Sequence, residues 1–141
     1  MKKYLLFSLL SLSLLVGCTQ KCDDCLSYDA YLTKYNELQR KINSITATLA
    51  TNYTTYSSEI DKIQDYVQDM INLKGPLNLA DKEKELDTYL LKYKNSFDQL
   101  DLYYKTYDSG DIAKAKTIYE NYIKEFDEFN AKIEEIYASY K

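Results

Sequence analysis

The chain has no histidine, no tryptophan, a single proline, Pro76, three glycines and one arginine, Arg40, in 141 residues. Without histidine it lacks the commonest general base, the usual serine-protease arrangement and every His-containing metal site. The three glycines, Gly17, Gly75 and Gly110, stand far apart, so no glycine-rich loop can cradle a phosphate. So little glycine and proline also leaves too few turns for an all-β fold. Cations are scarce: 18 Lys and Arg face 22 Asp and Glu. An acidic chain with no basic run offers no footprint for nucleic acid, nor a polybasic patch for a membrane surface. The length fits one domain and excludes the two-lobed α/β receptors of solute importers, because each lobe needs a sheet with covering helices.

What is abundant points to helix. Lys, Glu, Leu, Asp and Tyr dominate, and tyrosine alone contributes 16 residues. The N-terminus stands apart. Met1-Lys2-Lys3 is a basic start, and Leu5 to Val16 is an apolar run with the length of a signal-peptide core, too short to span a membrane comfortably. It ends in Leu15-Val16-Gly17-Cys18, which resembles the lipobox of bacterial lipoprotein precursors at all four positions. The resemblance is confined to the N-terminus. It implies cleavage before Cys18, a diacylglycerol thioether on that cysteine with or without a further N-acyl chain, and an extracytoplasmic mature protein. Thr19 is unlike the Asp that retains enteric lipoproteins at the inner membrane, so either a cell membrane or an outer membrane fits. Lys2 and Lys3 leave with residues 1–17, so the mature chain keeps 16 basic against 22 acidic residues, a net charge of −6.

Residues 18–26 read as a lipidated tether carrying Cys22-Asp23-Asp24-Cys25. A disulfide or a plain tether feature is the main expectation for Cys22 and Cys25. The two aspartates oppose a thiolate, and no βαβ pattern supports thioredoxin-like chemistry. Two thiols without histidine cannot close a four-ligand zinc site, and no metal or other cofactor is expected. The carboxylates of the last segment, Glu120, Glu125, Asp127, Glu128, Glu134 and Glu135, fall mostly off its apolar seam and read as a solvated face. No residue is assigned a catalytic role.

From residue 27 the apolar spacing becomes helical. The first seam runs Tyr28, Tyr31, Tyr35, Leu38, Ile42, Ile45, Leu49, Tyr53, Tyr56, Ile60, Ile63, Val67, Met70, with one doubled step of four from Leu49 to Tyr53 that reads as a stutter. The second runs Leu79, Glu83, Leu86, Leu90, Tyr93, Phe97, Leu100, Tyr104, Tyr107, interrupted by Glu83. The third runs Ile112, Ala115, Tyr119, Tyr122, Phe126, Phe129, Ile133, Ile136, Tyr140. Gly75-Pro76 and Ser109-Gly110 separate them; Gly75 suits a left-handed cap, Asp81 a cap for the second helix, and Ser109 or Asp111 a cap for the third.

The expectation is an all-α, antiparallel three-helix, coiled-coil-like bundle with helices of about 27–73, 79–107 and 111–140. The alternative is a four-helix bundle with a break in the Thr-rich run 46–58. A first helix that long leaves Tyr28, Tyr31, Tyr35, Leu38 and Ile42 without intrachain cover, which makes them the expected face for a partner or a second copy. The functional expectation is a noncatalytic interaction module at the cell envelope, meeting an envelope protein or a cell-wall component. This looks like small lipoproteins of the exclusion and cell-wall-binding kinds. The alternatives are a spacer that self-associates through helix one and, with least support, an envelope hydrolase or redox protein.

Overall fold

The computed structural model describes residues 22–49 and 54–140; the expected signal segment, 1–17, and Cys18 lie outside the described residues. The chain is all-helical, with four helices packed against one another: α1 (Tyr28–Leu49), α2 (Tyr56–Asn72), α3 (Ala80–Asp108) and α4 (Ile112–Ala138), with a short 3-10 turn, Leu77–Leu79, leading into α3. Among the described residues there is no strand, and no helix is long and apolar enough to cross a membrane.

The expected helix over 27–73 is two helices, and this is the main correction to the sequence reading. The seam's doubled step from Leu49 to Tyr53 marks the break, because α1 ends at Leu49. Threonines prepare it. Thr46 and Thr48 donate their hydroxyls to the carbonyls of Ile42 and Ser44, a local bonding habit that weakens helix continuation. Folding back also gains more than it loses. A broken turn gives up about four helix hydrogen bonds at roughly 1 kcal/mol each. Burying the α1 seam residues Tyr31, Tyr35, Ile42 and Leu49 returns roughly 1.5–3 kcal/mol for each.

Side-chain contacts fix the registers. Ser57 donates to Asp101 at 2.8 Å, Gln64 to Asp98 at 2.8 Å, and Lys94 to Gln68 at 2.8 Å, so numbers fall along α3 as they rise along α2. Phe97 is fully buried at the centre, edge-on to Tyr93 and Phe126 and tilted against Tyr122. The α1–α4 seam is built differently. No Cα atoms of these two helices come within 8 Å of each other, and long tyrosines span the gap. Tyr35 stacks on Tyr137 with centroids 4.3 Å apart, Tyr137 donates to Asn36 at 3.0 Å, and Tyr28 donates to the Tyr140 carbonyl.

Local signals account for most helix ends. Ser27 starts α1, its hydroxyl accepting from Ala30 N at 3.3 Å. Asp111 caps α4 by accepting from Lys114 N at 3.1 Å. Asp81 does not cap α3; it lies in the first turn, where a carboxylate meets the positive helix end. Gly75 does not take a left-handed conformation, which Gly110 alone adopts among the described residues, with φ 87°. Gly75 is needed for close approach instead. A Cβ there would run into the Glu83 carboxylate and lie 3.2 Å from the Tyr31 ring.

Candidate interaction surface

Both ends of the described chain meet at one end of the bundle. Cys22 and Cys25 are joined by a disulfide, and the turn they close is docked on the α2–α3 loop, where Leu26 N donates to the Lys74 carbonyl at 2.8 Å. Lys74 also faces Asp24 at 3.7 Å. The C-terminus returns here through the Tyr28 contact and through Lys82, whose Nζ donates to the Ser139 carbonyl at 2.5 Å.

The face expected to await a partner is internal, a second correction. Tyr31, Tyr35 and Ile42 are buried, and Tyr28 and Leu38 are half-buried and packed against the core. The reason is the break after Leu49, since α2 now covers α1 from one side and the C-terminal turns of α4 from the other. The interface role assigned to the five residues, including self-association through helix one, rested on the missing cover. The Tyr35 hydroxyl has been buried at a cost, for it has no hydrogen-bond partner among the described residues.

Two carboxylates lie behind this tyrosine cluster. Glu83, the one polar residue in the second seam, accepts from Gly75 N at 2.5 Å. Burial raises its pKa, an effect that the Gly75 hydrogen bond opposes. One turn on, burial first and the Glu83 charge second push the Asp87 carboxyl up to about 6. Both line an open groove of about 920 Å³ between α2 and α3, with Ile71, Leu73, Lys74 and Leu91. Burial also holds the hydroxyls of Tyr31 and Tyr35 well above the ordinary phenol range, so both stay neutral. The pair lies one turn apart, and burial raises both carboxyls above the ordinary carboxylate range. It faces no histidine, and no group of three or more His, Cys, Asp or Glu among the described residues is placed to hold a metal ion.

Leu77 in the α2–α3 loop and Leu91 of α3 are exposed, and the other exposed large apolar side chains lie toward the opposite end. At this end Tyr56 of α2 stacks on Tyr104, with centroids 4.7 Å apart, its hydroxyl pairs with the Asp108 carboxylate at the end of α3, and Ser57 donates to Asp101. From the Tyr35–Tyr137 pair, the fourteen residues to Leu49 carry α1 only about as far as Ile123 of α4, at equal rise per residue. Among the described residues, the α3–α4 hairpin therefore extends past the end of α1. Its seam residues Tyr107, Ile112 and Tyr119 are 44%, 53% and 41% exposed, although periodicity alone places them in the core. Tyr103 links them, with its ring 6.1 Å from Tyr107 and 4.9 Å from Tyr119. Leu102 and Ile123 extend the exposed apolar surface. The sequence contained the signal: seams two and three run past the point where a folded-back first segment ends. No family model, curated protein or solved structure matches the chain.

Proposed function

We propose that this protein is an envelope lipoprotein, lipidated at Cys18, whose helical domain is a noncatalytic interaction module that meets its partner with the α3–α4 tip. The lipobox Leu15-Val16-Gly17-Cys18 supports the anchor. The observation that carries the rest is the exposed set Tyr107, Ile112 and Tyr119 at the far end from the docked tether. Along the 29 residues of α3 that separation is roughly 40 Å. A lipid fixes one end at a membrane, and the aromatic end then points away from it, toward an envelope protein or a cell-wall component. Aromatic side chains are the residues most enriched where proteins meet.

The array reads as an up-and-down four-helix bundle, supported by the falling register of α3 against α2 and by short connections. The test is photocrosslinking in native membranes from position 107, with Tyr107 replaced by a benzophenone amino acid. A discrete adduct is expected, lost when Tyr119→Glu is added and retained with the distant Leu77→Glu. Adducts only to further copies of this chain would favour the self-associating spacer. No adduct, or one insensitive to Tyr119→Glu, would remove the tip from the account.

A further inference from the structure

The Cys22–Cys25 disulfide sits between the proposed anchor and the bundle, and its surroundings give it a mechanical task. The two Cα atoms are 5.2 Å apart, and Cys25 N donates to the Cys22 carbonyl at 3.3 Å, so residues 22–25 form one closed turn. Leu26 follows at once, half-buried against the core, with its amide on the Lys74 carbonyl. Among the described residues, the charged contact across the dock is Asp24 with Lys74, whose side chains are 83% and 63% exposed. An ion pair that wet contributes little. The half-buried Leu26, one hydrogen bond and one solvated ion pair hold an open chain of this length only weakly against its conformational entropy, which costs about 1–2 kcal/mol for each residue fixed. A pre-formed ring has already lost most of that freedom.

We propose that the Cys22–Cys25 disulfide is a clasp that keeps the tether docked on the α2–α3 loop and so fixes the direction in which the bundle leaves its anchor. The proposal rests on the lipoprotein reading for the meaning of that direction, but not for the clasp itself. Closed, it separates the ring from Cys18 by three residues in the sequence. Opened, it releases the chain as far as Ser27, and the bundle can swing. Opening requires a two-electron reductant, such as a dithiol or a phosphine; the dithiol route runs through two exchanges. One thiolate attacks a cysteine sulfur to form a mixed disulfide, and the second displaces the other bond. The chain gains two electrons and two protons as two thiols, and the reductant leaves as its own disulfide. Asp23 and Asp24 repel an incoming thiolate and disfavour the thiolate on either cysteine, which suits a lasting structural bond.

The mature protein extracted from its own membranes tests this by hydrogen exchange with and without tris(carboxyethyl)phosphine. Reduction should speed exchange at the Leu26 amide at least tenfold and leave α3 and α4 unchanged. The Cys22→Ser/Cys25→Ser variant should exchange at the reduced rate with or without the reagent. Unchanged Leu26 protection would overturn the clasp, as would an equal rise throughout the bundle. Neutron reflectometry of the same protein on a supported phosphatidylglycerol bilayer separates the two readings. Failure to bind the bilayer would remove the lipoprotein reading while the exchange result still decides the clasp. A bound protein layer whose profile does not broaden on reduction would overturn the orienting role.

Discussion

Replacing Asp87 with Asn should stabilise the fold at neutral pH and do nothing in acid. The folded protein raises this carboxyl to about 6, against about 3.9 for an unfolded aspartate. A raised carboxyl pKa means that the native state binds the proton more tightly, so the Asp87 contribution to stability is fully present below about pH 4. It is lost as pH rises toward about 6 and stays lost above. Two pKa units correspond to about 3 kcal/mol, but Asp87 is half in contact with water, and solvent screening reduces the effect to roughly 1–2 kcal/mol. Asn keeps the shape and removes the charge that burial and Glu83 disfavour. Urea unfolding followed by circular dichroism at pH 4, 5, 6 and 7.5 should show the variant ahead by about 1–2 kcal/mol at pH 7.5, with the gap closing by pH 4. In a domain of this size that is a rise of roughly 4–8 °C in the melting midpoint. A gap that is absent at pH 7.5, or the same at every pH, would refute the reasoning.

Tyr35→Phe removes a buried hydroxyl that has no partner among the described residues and should leave stability unchanged or raise it by up to about 1 kcal/mol, read by the same unfolding curves; a loss above about 1 kcal/mol would mean the hydroxyl is bonded. Phe97→Ala should cost about 3–5 kcal/mol, because the ring is fully buried where α3 meets α4. Tyr107→Glu with Tyr119→Glu should move the midpoint by less than about 2 °C while abolishing partner capture, since both residues lie on the surface, 44% and 41% exposed; a collapsed midpoint would make the tip part of the core.

Much of this was legible in the order of the residues. The seams of α3 and α4 lie within one or two residues of the observed helices, because three-four spacing persists wherever a helix buries a stripe, and Asp111 could be named as a cap from its place before Ile112. Glu83 looked like a flaw in the second seam. Its reason, the Gly75 amide, lies eight residues away in a loop whose path no periodicity reveals. The break after Leu49 was harder. No Gly or Pro marks it, and the doubled step fits a stutter in one long helix as well as the end of a short one. Which applies depends on the free energy of burying Tyr31, Tyr35 and Ile42 against helices distant in sequence, a tertiary quantity. Once that choice went wrong, the uncovered stripe was placed at the wrong end of the molecule. The seam residues left exposed are Tyr107, Ile112 and Tyr119.

The proposed function turns on the anchor, because a lipid on Cys18 would decide which end of the bundle faces outward. Intact-mass spectrometry of the protein extracted from its native membranes tests it directly. The predicted species begins at Cys18 and carries a diacylglycerol thioether, with or without an N-acyl chain, and Cys18→Ser yields no lipidated form. An unmodified mature chain, or the full 141-residue chain without lipid, would contradict the account.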